Sequence, residues 1–246
     1  MTNTGTARPS KKALQRQKTM AQIIDGAITV FRERGYENAN VTDITRAANV
    51  ATGSLNNCFG NKERLGAYVT LALLKHTMPP VQARIAFDDD PVLFALAAVS
   101  TYDRFMMETG GYRQFFLDSL KYDFMFNYLS NVPNSLVVNL IRHFTPEADE
   151  ESTMLRCQYL PYMLGRTLIL KKQEGYFNGI SSSEVAFLIC SEALKAYVPE
   201  ADIRSRVPEG MRIAREICET LADRPSMQTI EAAAGMGIKA PAGSPV

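Results

Sequence analysis

The segment from Asn40 to Leu65 constrains the fold of this 246-residue chain more than any other. Two short helical patterns flank Asn49, and asparagine tolerates the left-handed backbone conformation that a tight turn between helices requires. A further helix is predicted directly afterwards, because Gly60 ends one pattern and Asn61 can cap the next. This arrangement predicts a helix-turn-helix, a motif that places its second helix in the major groove of DNA.

The spacing of apolar residues predicts three helices in this N-terminal region and the start of a fourth. In the first helix, Ile23, Ala27 and Phe31 recur every four residues. The fourth helix is expected to end before Pro79 and Pro80, since proline lacks the N–H that continues a helix. The predicted ranges are about 18–34, 40–49, 52–58 and 62–78.

The overall composition is that of an ordinary soluble domain, with 46% hydrophobic and 22% charged residues. The longest apolar run covers 92–99, whereas a membrane span needs roughly 18 residues. The four cysteines form no CxxC pair, and the N-terminus is polar and basic. We therefore expect a cytoplasmic protein without a membrane association, a metal or another cofactor.

Positive charge is concentrated near the N-terminus. The first 66 residues carry a net charge of +5 and the remainder carries −4. Residues 1–17 are predicted to form a flexible basic arm that contains Arg8, Lys11, Lys12 and Arg16. Such an arm either reaches the DNA backbone or minor groove, or acts only as a solubilising tail; the sequence leaves both interpretations open.

Four patterns in the N-terminal region occur in the order and spacing of a known family. They are I-x-x-A-x-x-x-F-x-E-x-G-Y from Ile24, V-x-D-I from Val41, A-A-x-V-x-x-G-S-L from Ala47 and F-x-N-K-E-x-L from Phe59. Residues 23–65 therefore resemble the DNA-binding domain of the TetR/AcrR (tetracycline-repressor-like) family. The resemblance implies an all-α homodimer with a three-helix helix-turn-helix head and a helical-bundle domain that binds a small-molecule effector and dimerises.

The same resemblance assigns a DNA-contacting role to residues of the second and third helices and to the first residue of the fourth. Lys62 matches a family lysine that touches the DNA backbone, and a cation at a helix N-terminus suits a phosphate. The expected DNA-binding residues are Asn40, Thr42, Thr52, Gly53, Ser54, Asn56, Asn57 and Lys62.

Two positions depart from the family pattern. The family usually has tyrosine where Asn56 stands, and tyrosine or histidine where Cys58 stands. Cysteine is a poor hydrogen-bond donor, so these changes could weaken the contacts to phosphate. Three interpretations remain: a different operator with modest affinity, an oxidant or electrophile sensor at Cys58, or a head that no longer binds DNA.

Helical periodicity continues through the second domain, predicted to span 67–224 after a head at 18–66. The predicted helices cover about 91–109, 112–130, 133–144, 151–174, 182–197 and 207–223. Residues 225–246 show little periodicity and predict a mobile tail.

The segment from Tyr102 to Tyr128 is rich in aromatic residues and methionine, which are suited to a ligand pocket but are more often part of a core. Given the family resemblance, we expect it to bind an apolar or aromatic effector, whose anionic end could meet Arg104, Arg113 or Lys121. The candidate pocket residues are Tyr102, Phe105, Met106, Phe116, Tyr122 and Met125.

Two later apolar stripes predict a dimer interface, although both could instead complete the core of the monomer. One stripe contains Tyr159 and Met163, and the other contains Leu188 and Glu192. Paired heads would then lie about 34–36 Å apart, as successive major grooves require.

The chain contains no HExxH, GxSxG or Walker motif, so we do not expect an enzyme. The favoured function is a ligand-responsive regulator, most often a repressor in this family, that binds a near-palindromic operator of double-stranded DNA as a homodimer. The fourth helix would transmit effector binding to the head. The alternative is a ligand- or protein-binding regulator with a weakened DNA-binding head.

Overall fold

A computed structural model describes residues 10–124, 128, 136–147, 149, 155 and 159–238. These residues form helices without any strand, which confirms the predicted all-α fold. The helices, numbered here in chain order, are α1 Lys11–Arg34, α2 Val41–Ala47, α3 Gly53–Phe59, α4 Lys62–Gln82, α5 Pro91–Arg104, α6 Arg113–Lys121, α7 Leu136–Phe144, α8 Leu160–Gln173, α9 Ser182–Leu194, α10 Glu200–Thr220 and α11 Met227–Ala234.

The turn between α2 and α3 has the geometry that the sequence predicts. Asn49 adopts a positive φ of 53°, and Gly60, which ends α3, has φ of 82°. Helix α1 crosses α2 closely, because a Cβ added to Gly26 would lie 2.7 Å from the backbone nitrogen of Ala48. Glycine is therefore required at this crossing, and it fixes the distance between α1 and the helix-turn-helix.

Helix α1 begins seven residues earlier than predicted, at Lys11 rather than Lys18. The hydroxyl of Ser10 caps its N-terminus by accepting a hydrogen bond from the backbone N–H of Ala13. Arg16 donates to the carbonyl oxygen of Cys58 at 2.9 Å, which ties the first turns of α1 to the end of α3. The prediction of a flexible arm is therefore wrong for 11–17, and Arg8 lies outside the described residues.

Helix α4 continues to Gln82, although we predicted that Pro79 and Pro80 would end it. The prolines lie near its C-terminal end, and each lacks the N–H that would donate to the carbonyl oxygen four residues earlier, so two intrahelical hydrogen bonds are lost. The side chain of Val81 is fully buried in a cluster with Phe94 and Ile213, so packing keeps this turn helical.

The helices that follow α4 form a body around α5. Helix α10 packs along α5, and Gly210 allows the close approach because a Cβ there would lie 3.0 Å from Leu96 Cβ. Helix α5 continues into a wide π-helical turn at Phe105–Thr109, which together match the predicted 91–109. Helix α6 is shorter than predicted because Asp123, held by Arg166 at 2.6 Å, turns the chain with φ of 54°.

Helix α10 begins at Glu200, not near residue 207, and it contains Pro208. Its early turns are fixed by the fully buried Ile203 and by an ion pair between Arg206 and Asp90 at 2.8 Å. Helices α7 and α9 lie within their predicted ranges, and α8 begins at Leu160, with Pro161 in its first turn.

Residues 222–238, called here the C-terminal strap, pack against α1 and α4 of the head. Ile230 in α11 is fully buried, and the Tyr68 hydroxyl donates to the carbonyl oxygen of Met236 at 2.7 Å. Two ion pairs, Arg32 with Asp223 and Arg224 with Asp25, join the start of the strap to α1. The prediction of a mobile tail is therefore wrong for this part of 225–246.

None of the described helices is both long and apolar enough to cross a membrane.

Candidate DNA-binding face and effector cavity

The solvent side of α2 and α3 carries most of the predicted DNA-contacting residues. One side of α3 is buried through Leu55, Cys58 and Phe59, which pack on the head core. The opposite side carries small polar groups that include hydroxyls and amides. Thr42, Thr52, Gly53, Asn56 and Asn57 are exposed, and Ser54 is half-buried.

The start of α3 is not crowded by neighbouring side chains. The Thr52 side chain makes no capping hydrogen bond to the helix. A Cβ added to Gly53 would meet no atom within 4 Å, so internal packing does not demand glycine there. An uncrowded backbone and an uncommitted hydroxyl at a helix N-terminus suit close approach by a phosphate or a base edge.

The side chain of Asn40 has a structural task. Its oxygen accepts from the backbone N–H of Asp43 at 2.8 Å, and its nitrogen donates to the Asp43 carboxylate at 2.7 Å. The same carboxylate also binds Arg34 and Arg46. Asn40 is thus first a helix cap, and its exposure leaves room for a contact to DNA as well.

Lys62 is engaged inside the head, which differs from its expected role as a simple phosphate contact. Its ammonium donates to the carbonyl oxygens of Tyr36 at 3.0 Å and Ala39 at 2.9 Å, and it lies 4.2 Å from the centre of the Tyr36 ring. Burial lowers the pKa of this ammonium. Two of the three N–H donors of Lys62 therefore hold the loop between α1 and α2, which leaves one for DNA.

The Cys58 side chain points into the head core and not into the groove-facing surface. The residue is only 7% exposed, and burial raises the pKa of its thiol. A sensor in the DNA groove requires a Cys58 side chain at the surface. A lost phosphate contact at this position requires the same. The structure contradicts that requirement, because, of the two departures, only Asn56 is exposed on α3.

The head, which contains α1 to α3, is similar to known proteins. Residues 23–69 match the family model described as "Bacterial regulatory proteins, tetR family". The head of this chain is therefore similar to the DNA-binding domain of TetR-family regulators.

Two curated relatives are similar to the head of this chain. It is 32% identical over 69 residues to the uncharacterized HTH-type transcriptional regulator YvdT of Bacillus subtilis, and 41% identical over 44 residues to IcaR of Staphylococcus epidermidis, a negative transcriptional regulator of the biofilm operon icaADBC. These alignments cover 28% and 18% of this chain, and 36% and 24% of the relatives.

The fold as a whole is similar to a solved structure, that of RolR (NCGL1110) in complex with resorcinol. The TM-score is 0.57 at 20% sequence identity, and the match covers 79% of this chain and 95% of RolR. The similarity therefore extends from the head into the helical body.

The body contains a cavity of about 270 Å³ between α5, its π-helical turn, α6, α8, α9 and α10. Its apolar wall comes mainly from Met107, Phe116, Ile169, Val185 and Met211. Polar and charged groups also line it, namely Ser100, Asp103, Arg104, Glu108, Arg113, Lys172, Gln173 and Ser182.

The cavity includes one of the six predicted pocket residues, Phe116. Tyr102 packs on the Phe116 ring at 5.8 Å behind the wall, whereas Phe105 and Met106 are buried in the core. Tyr122 lies at the contact between body and head, and Met125 lies outside the described residues. The π-helical turn explains part of the error, because it turns Met107 instead of Met106 toward the cavity.

Each cation that lines the cavity already has a partner. One of these partners is a carboxylate, and the others are neutral oxygen atoms. Arg104 pairs with Glu108 at 3.0 Å. Arg113 donates to the side-chain oxygen of Gln173, and Lys172 donates to backbone carbonyl oxygens. Lys121, also considered for an anionic ligand, instead binds Glu37 at the head.

Helix α6 connects the cavity to the head. Its residues Arg113 and Phe116 line the cavity, while Asp118 accepts hydrogen bonds from the backbone N–H groups of Tyr36 at 2.8 Å and Glu37 at 3.1 Å. The Asp118 side chain is 3% exposed, so this contact is shielded from water. A displacement of α6 would therefore move or strain the loop between α1 and α2.

The predicted dimer stripes differ in their exposure. In α8 and the residue 155 that precedes it, three large apolar side chains face solvent: Leu155 is 52% exposed, and Leu160 and Met163 are each 44% exposed. Tyr159 is half-buried beside them. In α9, Leu188 packs partly against the core, and Glu192 is half-buried and pairs with Lys195 at 2.6 Å.

Proposed function

We propose that the protein is a DNA-binding transcriptional regulator, acting as a repressor in the cytoplasm and not as an enzyme. The observation that carries this proposal is the polar, exposed side of α3 on a buried scaffold of Leu55 and Phe59. A hydroxyl and amide surface of this kind can bind base edges and phosphates, while the scaffold holds it at a fixed angle to α1. The relative IcaR, named as a negative regulator, supports the sign of regulation.

The proposed active form is a homodimer joined through α8 and α9. The exposed Leu160 and Met163 on α8 form an apolar surface that a second copy of the chain would cover. A two-fold axis along this surface would give paired heads for a near-palindromic operator.

The proposed effector site is the cavity of about 270 Å³ in the body. Helix α6 lines this cavity through Phe116 and grips the head through Asp118. An effector that fits the cavity better in one position of α6 would shift the head between two orientations, by the difference of its affinities for the two states. Helix α4 continues from the head into the body and would follow the same movement.

A regulator with a weakened head remains the second candidate, and a specific observation favours it. Two of the N–H donors of Lys62 form hydrogen bonds inside the head. The Asn56 side chain is also shorter than the tyrosine that is usual at that position. Fewer phosphate contacts give a weaker dependence of affinity on salt concentration.

A selection of DNA fragments retained by the purified protein, followed by sequencing, tests the main proposal. We expect a near-palindromic site with half-sites about one helical turn apart, or a multiple of it. Binding of the selected site should then weaken steeply as salt rises, whereas a flat dependence favours the second candidate. Retention of no sequence above background, by a dimer or by a monomer, would refute the assignment as a DNA-binding regulator.

A further inference from the structure

The body cavity contains a carboxylate that has no partner. No hydrogen bond or ion pair joins Asp103 to any residue of the described parts of the chain, whereas Glu108, the other acid in the cavity wall, pairs with Arg104. Burial raises the pKa of this carboxyl to about 7, and no neighbouring cation opposes the effect. A half-buried acid that has no hydrogen-bond or ion-pair partner costs free energy unless a ligand compensates it.

A second unsatisfied group lies on the same wall. Ser100, one helical turn before Asp103 in α5, is 5% exposed and lines the cavity. Its hydroxyl oxygen has no hydrogen-bond partner among the described residues. Buried hydroxyls are seldom left unpaired, so Ser100 and Asp103 together form a polar end in a mostly apolar cavity.

We propose that the cavity binds a small molecule with an apolar body and a protonated amine, which donates hydrogen bonds to Asp103 with Ser100 beside it. An ammonium supplies both a positive charge for the carboxylate and several N–H donors. The apolar body would lie against Phe116, Ile169 and Val185. This inference rests on the proposed function of the cavity and replaces the expected apolar or aromatic effector with a cationic one.

The other charged groups of the cavity wall limit which further charges the ligand can have. Arg104 is neutralised by Glu108, whereas Arg113 from α6 and Lys172 from α8 bind neutral oxygens. These two cations disfavour a second positive charge on the ligand. Helices α9 and α10 present uncharged side chains to the cavity, Ser182, Val185, Ala186 and Met211.

Calorimetry without DNA, with three probes that share a phenylbutyl body, tests the ligand class. We expect phenylbutylamine to bind at least about tenfold tighter than phenylbutanol, and phenylbutyrate to bind weakest. In Asp103→Asn the advantage of the amine over the alcohol should disappear, while Asp88→Asn, which removes an exposed carboxylate elsewhere, should leave it intact.

The pH dependence gives a second measurement that a merely structural role of Asp103 would not change. Amine affinity should fall as pH drops through about 7, because Asp103 then takes up a proton and loses its charge. Arginine and lysine side chains stay charged over this range, and burial raises the pKa of the nearby Cys190 thiol to about 12. Alcohol affinity should not change with pH.

The proposal is overturned if the acid binds tightest, or if Asp103→Asn binds the amine as well as the wild type does. An amine that binds through Asp103 but leaves operator affinity unchanged would support the ligand class and contradict the effector role of the cavity. A protein that binds the amine but no DNA would refute the proposed regulator and leave the ligand class standing.

Discussion

The carboxylate of Asp118 in α6 accepts a 2.8 Å hydrogen bond from the backbone N–H of Tyr36 in the head. It also accepts from Glu37 and from the side-chain amide of Gln114, so three donors converge on one buried acid. Because the same helix lines the cavity through Phe116, a single rigid element contacts both the ligand site and the head.

Asp118→Asn should loosen the head from the body. The amide can keep its oxygen toward the two backbone N–H groups, but this oxygen is an uncharged and weaker acceptor, and the NH₂ group then faces the amide nitrogen of Gln114. We therefore expect a loss of about 1–3 kcal/mol in the free energy of unfolding, measured with denaturant. Effector binding should also change operator affinity less than it does in the wild type. Asp88→Asn, at an exposed turn position, is the matched control and should behave like the wild type. An unchanged effector response in Asp118→Asn would argue against α6 as the connection.

Ile230→Ala tests whether the C-terminal strap is an integral part of the fold. Ile230 is fully buried between the strap and the head, so its truncation should lower the free energy of unfolding by about 2–5 kcal/mol. Met227→Ala in the same helix removes a side chain that is 46% exposed and should cost far less. Equal and small effects of both substitutions in thermal unfolding would mean that the strap does not hold the head.

Asn56→Ala should weaken operator binding without changing stability. Asn56 is exposed on α3, and loss of one hydrogen bond to DNA corresponds to about a threefold to tenfold lower affinity. Asn56→Tyr should instead strengthen binding to random DNA and steepen its dependence on salt, because tyrosine reaches a phosphate more easily. Fluorescence anisotropy at several salt concentrations measures both. If neither substitution changes affinity, Asn56 does not face the DNA.

The Cys58 thiol should resist alkylation and mild oxidation in the folded protein. Only 7% of the residue is exposed and burial raises the pKa of its thiol, so little reactive thiolate reaches the solvent. Mass spectrometry of the peptide that contains Cys58 should show labelling in denaturant but little in buffer. Operator affinity should be the same for wild type and Cys58→Ser under peroxide. Rapid labelling of native Cys58 would restore the sensor interpretation.

Asp103→Asn should make the ligand-free protein more stable at high pH. The folded protein holds the proton of Asp103 up to about pH 7, whereas an unfolded aspartate loses it near pH 4, so this group lowers stability as pH rises through that interval. The substitution removes the cost, and we expect a gain of roughly 1–3 kcal/mol at pH 8 and almost none at pH 4. Denaturant unfolding at both pH values measures it, and a gain that is equal at the two would contradict the assignment.

The head was predictable from sequence because local rules determine it. Asn40 as a cap, Asn49 at positive φ and Gly60 as a helix end follow from the backbone preferences of those residue types. The errors occur where distant packing decides the outcome. Lys11 and Val81 lie in turns that local signals had placed outside α1 and α4. Contacts from far along the chain stabilise these turns, among them the hydrogen bond from Arg16 to Cys58.

The cavity could not be predicted because the residues that line it come from five helices. Which side chains of these helices face the cavity depends on how α5 ends. Aromatic density between Tyr102 and Tyr128 indicated a core more than a ligand site, and Phe105 and Tyr112 do form that core. Asp103 gave no signal in the sequence, since an aspartate in an amphipathic helix is usually exposed. The dimer interface remains a prediction that the exposed Leu160 and Met163 support.

The π-helical turn at Phe105–Thr109, where the Gly110 N–H donates to Phe105 at 2.7 Å, adds one residue to a helix that would otherwise keep its α-helical repeat. One residue inserted into a regular α-helix shifts the positions after it by about 100° around the axis, and a wide turn of this kind takes up such a residue at the end of the helix. Relatives that lack this residue would present a different set of side chains to the same space and would aim α6 elsewhere. A change of a single codon in length could therefore switch ligand preference during evolution, in a way that no substitution within α5 would reproduce.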